Sequence, residues 1–221
     1  MRFINKEFLK NILISKRAID KASRMVTESP ILFQSIVIFG LPGSGKSNCA
    51  NYIVREARKY YGASNVNARY VSGGEIEYLL RWGIEPKLVN ILFCDNATLR
   101  KIPSKYIQEY FKIRHHPVLS NQDKGYVLSI IAIHRFHGCQ LEIRTTMDGL
   151  IVLDSSMNPY DNNILKRLVG EDVIAFFDKI SDRKKENLEL KGIAYYKSKS
   201  IEGFIKIPFV KKRYLKHVLE L

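Results

Sequence analysis

Residues Ile36 to Val54 read IVIFGLPGSGKSNCANYIV, an apolar run that passes through a tight glycine loop into a helix-forming stretch. Ile36-Val37-Ile38-Phe39 is apolar and mostly β-branched, the pattern of a strand covered on both faces. Gly40-Leu41-Pro42-Gly43-Ser44-Gly45-Lys46-Ser47 then satisfies G-x-x-x-x-G-K-[ST]. Beyond it, Ala50, Ile53, Val54 and Ala57 recur at helical spacing. Glycines let a backbone turn its N–H groups inward, and a helix N-terminus adds partial positive charge, so this loop is built to hold phosphates. The expected nucleotide-binding set is Gly40, Leu41, Pro42, Gly43, Ser44, Gly45, Lys46, Ser47 and Asn48, with ATP as the nucleotide. In it Lys46 reaches the β- and γ-phosphates and the Ser47 hydroxyl ligates Mg²⁺.

The chain of 221 residues is long enough for one sizeable α/β domain with appendages. Lys and Arg number 36 against 22 Asp and Glu, a net charge of +14 that favours a polyanionic partner, nucleic acid above all. A lysine-rich, heat-adapted surface is the alternative, but such surfaces enrich Glu alongside Lys, and here bases outnumber acids. No run of eighteen apolar residues is present, so no membrane span is expected. The first residues are charged at short intervals and lack a signal-peptide core, which points to the cytoplasm, the host's if the protein is viral. Cys49, Cys94 and Cys139 are widely spaced and read as small apolar residues in a reducing compartment, not as a zinc site.

Alternation of strand and helix from Ser35 onward implies a mainly parallel sheet with helices on both faces. Three segments are expected: a basic amphipathic helix over 1–34, an ATPase core over 35–190, and a hairpin with a basic tail over 191–221. Ile4, Phe8, Ile12, Ile19, Ala22 and Val26 give the first segment one apolar stripe, read as a single helix. Strands are expected over 68–71, 88–94, 127–133 and 150–153, and helices over 76–82, 104–113, 163–169 and 173–187. In the tail, Tyr195, Tyr196, Lys197, Lys199, Phe204 and Lys206 interleave aromatics and bases, as nucleic-acid platforms do. Lysines on an edge strand also block edge-to-edge pairing, and that reading is preferred for the hairpin. Contact with DNA is assigned instead to Lys211, Lys212 and Arg213.

Asp95 ends the strand "NILFCD", where an acid binds Mg²⁺ through its water shell. Many ATP hydrolases follow this Asp with a Glu that orients the attacking water. Here that position is Asn96, which holds a water but takes no proton. Glu75, just past the second strand, is the replacement candidate, with a solvated helix-start carboxylate as the alternative. His134 leaves the fourth strand at the level of a γ-phosphate and is a candidate sensor of it, or else a satisfied buried histidine. Arg144, and less so Arg135, is a candidate for stabilising transition-state charge in cis or across a subunit interface.

On "GLPGSGKS", "LFCD" and "IAIHRFHGCQLEIR", the chain resembles the additional-strand division of P-loop ATPases. Within that division it looks like the FtsK–HerA translocases, including small viral genome-packaging members, and like compact DnaA-like ATPases of archaeal viruses and plasmids. The resemblance spans roughly 35 to 155. It implies that the strand ending at His134 lies between the phosphate-loop strand and the Asp95 strand. It further implies an oligomeric ring acting on double-stranded DNA, with Arg144 on a neighbour's nucleotide. A packaging or translocating motor leads, with a replication initiator or loader beside it. A small nucleotide or polynucleotide kinase, with Arg100, Lys101 and Arg114 as lid candidates, and a non-hydrolysing binding switch stay open.

Overall fold

In the computed structural model, residues 2–25, 31–73, 75–96, 108–109, 112–137, 141–155 and 158–220 are described. The apolar runs form the middle of an eight-stranded sheet. Its strands are β1 (Ile31–Phe39), β2 (Val66–Ser72), β3 (Val89–Asp95), β4 (Gly125–Ile133), β5 (Gly149–Val152), β6 (Ile193–Ser198), β7 (Glu202–Lys206) and β8 (Lys216–His217). They lie in the order β7-β6-β5-β1-β4-β3-β2-β8. Strands β1 to β5 and β8 run parallel, while β6 and β7 form an antiparallel hairpin beyond β5. The fourth strand is the inserted one: β4 pairs with β1 on one side and β3 on the other. All nine of its residues are buried, as a strand covered on both faces requires.

The helices are α1 (Asn5–Ile12), α2 (Lys16–Met25), α3 (Lys46–Tyr61), α4 (Ile76–Trp82), α5 (Pro117–Ser120), α6 (Leu141–Thr146), α7 (Pro159–Val169), α8 (Glu171–Glu186) and α9 (Leu188–Lys191). Side chains alternate faces along β1, and so the core has two halves. Ile36 and Ile38 pack with Phe8, Ile12 and Ile19 of α1 and α2 and with Ile53 and Ala57 of α3. Val37 and Phe39 pack with Leu79 of α4, Leu165 of α7 and Phe177 of α8.

The N-terminal segment differs from expectation, forming two helices where one stripe had suggested a single one. The break falls at Leu13, outside helical geometry at φ −105°, ψ 87°. Two buried tyrosines claim the carbonyls that a continuing helix would use: Tyr126 Oη donates to Ile12 O (2.7 Å) and Tyr61 Oη to Ile14 O (2.5 Å). Ser15 Oγ then accepts from Ala18 N (3.1 Å) and restarts the chain as α2. The sheet also begins at Ile31, ahead of the expected core boundary at 35. The helix expected over 104–113, with Arg100 and Lys101, lies almost wholly outside the described residues.

At the other end, the hairpin aromatics turn inward. Tyr195 and Tyr196 are buried, and Phe204 packs edge-on against Tyr195 at 5.2 Å and Phe176 at 4.8 Å. They are therefore core residues and not a nucleic-acid platform. After β7 the chain leaves that edge, crosses α3 and pairs as β8 with β2 at the opposite edge, a strap the sequence reading lacks. Asn51 Oδ1 accepts from Tyr214 N (2.8 Å) and Leu215 N (3.2 Å) to hold it down.

Lys184 of α8 is 6% exposed and donates to Leu153 O at the end of β5 and to Ile193 O (3.0 Å) at the start of β6. Burial lowers its pKa from 10.5 to about 8, partly offset by Asp154. Between those values the unfolded chain binds a proton that the folded chain does not, so this group's contribution to stability rises with pH. Buried thiols and tyrosines titrate nearby with the opposite sign, which makes the difference from Lys184→Met the informative quantity. Urea unfolding should show the wild type gaining about 2 kcal/mol on that variant between pH 7 and 9.5. A difference that is flat with pH would mean that Lys184 is charged in the folded protein.

Candidate functional site

The parallel register brings three strand ends together at the carboxyl edge of the sheet. Phe39 pairs with Ile133 across β1 and β4, and Cys94 with Ile131 across β3 and β4. Gly40, Asp95, Asn96 and His134 therefore emerge side by side at the carboxyl edge, where ligands of open α/β sheets bind. Gly40 N donates to Ile133 O (3.2 Å), extending the ladder one step into the loop. The loop turns there because Gly43 (φ 78°) and Gly45 (φ 96°) take left-handed backbone that disfavours any side chain. Gly40 is needed for a different reason: an added Cβ would lie 2.3 Å from Ser44 Oγ.

Lys46 opens α3 and folds back into the loop, 6% exposed. Its ammonium donates to Gly40 O (2.9 Å), Leu41 O (2.9 Å) and His134 Nδ1 (2.8 Å). Burial lowers its pKa to about 8, against the pull of Asp95. Burial, and next the Lys46 charge, likewise lower the pKa of His134. Ammonium nitrogens only donate, which assigns the acceptor role to Nδ1 of His134 and the hydrogen to Nε2; Gly40 O, 3.1 Å from Nδ1, is then bonded by Lys46 and not by the ring. That hydrogen goes to Asn96 Oδ1, a very short contact. Asn96 itself sits at φ 55°, the one non-glycine residue with positive φ among those described. Asparagine adopts this region more readily than glutamate, a local reason that favours it over the Glu of an Asp-Glu pair.

Ser47 Oγ donates to Asp95 Oδ2 (3.3 Å), while Asp95 Oδ1 accepts from Asn96 N (2.9 Å). A hydroxyl and a carboxylate converging beside a phosphate loop fit Mg²⁺, which takes one or two protein oxygens and completes its shell with water and phosphate. Among the described residues no group of three His, Cys, Asp or Glu is placed to hold a metal by itself. These side chains and the loop line a cleft of about 360 Å³.

Glu75, Arg144 and Arg135 do not line that cleft. Glu75 accepts from Ser72 Oγ (2.7 Å) and Ser72 N (3.2 Å), with His217 Nε2 of the strap 3.5 Å away. Those Ser72 bonds hold its carboxyl below the usual range. Arg144 lies on α6, half-buried, with its Nε out of water and unpartnered among the described residues. Arg135 is exposed. Asn48 lines the cleft, but its amide is engaged by the strap: Nδ2 donates to Pro208 O (3.1 Å) and Oδ1 accepts from Val210 N (2.8 Å). Of the tail bases, Arg213 lies 4.8 Å from the Tyr70 ring and donates to its hydroxyl (2.7 Å). One contributor went unseen in the sequence. Asp161 of α7, fully buried, accepts from Phe136 N (2.8 Å) and His137 N (3.0 Å) and fixes the turn that carries His134.

No family model and no curated protein sequence matches the chain. Among solved structures, the cytoplasmic domain of the type VII secretion ATPase EccC of Thermomonospora curvata superposes with a TM-score of 0.51. The two share 12% identity, over 80% of this chain and 25% of that one. The fold is that of an additional-strand P-loop ATPase. The chain is also similar to the DNA-packaging ATPase B204 of Sulfolobus Turreted Icosahedral Virus (TM-score 0.49, 13% identity, 80% of this chain and 98% of that one). It is similar too to B204 of Sulfolobus turreted icosahedral virus 2 in complex with ATP-gammaS (TM-score 0.49, 11% identity, 80% and 98%). No described helix is long and apolar enough to cross a membrane.

Gly45→Ala tests the loop. Nothing lies within 4 Å of the added methyl, so the cost is conformational, about 1–2 kcal/mol. The expected fall in Tm is roughly 3 °C per kcal/mol in a domain of this size, together with loss of nucleotide binding. An unchanged Tm would place Gly45 outside the left-handed region.

Proposed function

We propose that this chain is an Mg²⁺-dependent ATPase that works on double-stranded DNA as a homo-oligomeric ring, most simply as a genome-packaging or translocating motor. The observation that carries the reading is the meeting of Lys46, Ser47, Asp95, Asn96 and His134 at one strand edge. In this reading the loop amides and Lys46 bind the phosphates, exchanging two carbonyls and an imidazole for phosphate oxygens. Ser47 and Asp95 would hold the metal, which would neutralise phosphate charge. Asn96, set by His134, positions the attacking water. Its oxygen bonds to the γ-phosphorus, the bond from that phosphorus to the β,γ-bridging oxygen breaks, and the water's proton leaves with the phosphate. A loose transition state asks little of a general base, so an amide at position 96 suffices for positioning. Glu75, tied to Ser72 and His217, would have to release both to reach that water.

The net charge of +14 supports a DNA partner through salt-dependent backbone contacts. Arg144 acts on a neighbour's nucleotide in this reading, since it does not line the cleft of its own chain. The packaging assignment rests on the sequence resemblance.

Two measurements test these statements. Steady-state ATP turnover should rise with duplex DNA at low salt, fade as salt rises, and vanish in Lys46→Ala with its circular dichroism unchanged. Turnover indifferent to DNA would favour a kinase, and undiminished activity of Lys46→Ala would remove the loop from the reaction. For Arg144, mixing Lys46→Ala with Arg144→Ala subunits should restore part of the activity that each lacks alone. A mixture that assembles and stays inactive would place Arg144 outside a shared site.

A further inference from the structure

Beside the phosphate cleft lies a second cavity of about 250 Å³. The two share Gly43, Gly45 and Asn48 as lining, so they are continuous along one side of the loop. Leu153 and Ile207, both buried, form an apolar floor, and Phe209 of the strap forms a wall. Phe209 is 75% exposed, although its backbone neighbours are fixed. Pro208 O and Val210 N, immediately before and after it, both bond to the Asn48 amide. A large aromatic held in water on a pinned backbone gives up apolar burial that a freer segment would recover. A flat ring laid against it recovers that area.

We propose that this cavity seats the purine base of the nucleoside triphosphate, with Phe209 as its stacking wall. The proposal rests on the nucleotide reading above. The volume accommodates a purine, and the cavity shares Gly43, Gly45 and Asn48 with the cleft that would hold the phosphates. A third cavity lined by loop residues is smaller, about 140 Å³. It is lined by Asp154, Ser181 and Lys184 and offers a flat apolar ring no aromatic partner. Asn48 acts as a positioning residue. With one bond from each polar atom of its amide to the strap, it holds Phe209 in place. Stacking on Phe209 favours purines over pyrimidines, and Lys191 and Ser44, which also line the cavity, are side chains with polar atoms to offer the base edge.

Calorimetric titration of the full chain with ATP and with inorganic tripolyphosphate, each with Mg²⁺, tests this. Phe209→Ala should bind ATP about tenfold more weakly or worse and tripolyphosphate as the wild type does. A second variant, Phe209→Trp in a Trp82→Phe background, should change its fluorescence on adding ATP and not on adding tripolyphosphate. Equal ATP affinity for Phe209→Ala and wild type overturns the base seat, and so does an equal loss for both ligands. Wild type that binds tripolyphosphate as tightly as ATP also overturns the seat while leaving the phosphate loop intact. Wild type that binds neither overturns the nucleotide reading itself.

Discussion

The register of β4 between β1 and β3 is the constraint on which the rest of the carboxyl edge depends. Because Phe39 lies opposite Ile133 and Cys94 opposite Ile131, Gly40 and His134 leave the sheet at one level and Asp95 and Asn96 leave it just below. A slip of one residue would exchange the two faces of β4 and carry His134 away from Lys46. Nine buried positions make such a slip costly, since each face of β4 meets a different half of the core. The turn beyond is fixed as well. Asp161 reaches from α7 to two backbone N–H groups there and gives a buried carboxylate the donors it requires.

Given that register, the Lys46 ammonium becomes the electrostatic centre of the edge. Its hydrogen-bond partners are two carbonyl oxygens and a neutral imidazole nitrogen, which spread its charge without cancelling it. Asp95 opposes the effect of burial without reversing it. A buried cation with incomplete compensation is an expensive arrangement to keep unless an anion comes to share it. The inward loop amides and the N-terminus of α3 act with the same sign. The edge is thus organised around negative charge that the chain itself does not supply.

Most of this organisation was legible in sequence where it depends on local order. The loop, Asp95 and the exit at His134 are set by short patterns: a glycine spacing, an acid ending an apolar run, a polar residue ending another. The inserted strand followed from the resemblance and not from periodicity, because pairing order is not a local property. The pieces that escaped are contacts between distant residues. Asp161 stands 25 residues from the backbone it holds, and Asn48 meets Val210 across 162. The break in the N-terminal helix escaped for the same reason, since a continuous apolar stripe carries no sign of the tyrosines that take its carbonyls. A basic tail looks alike in sequence whether it faces a polyanion or lies across a helix with Arg213 over Tyr70.

Position 96 shows how such distant contacts decide chemistry. Left-handed backbone just after Asp95 selects against glutamate and admits asparagine, so the missing carboxylate is tied to the shape of the chain at that point. The amide's orientation follows from Lys46 two contacts away. An ammonium has no lone pair to offer, His134 must accept from it through Nδ1, and its Nε2 hydrogen must go to the oxygen of Asn96. What Asn96 then presents is its NH₂ group. A water beside it meets hydrogen donors and no base, and is oriented by its oxygen. In the proposed reading, phosphates that draw Lys46 away take the donor from Nδ1 of His134 and relax the constraint on the ring and on Asn96. That reading couples occupancy of the loop to the placing of the attacking water through one imidazole.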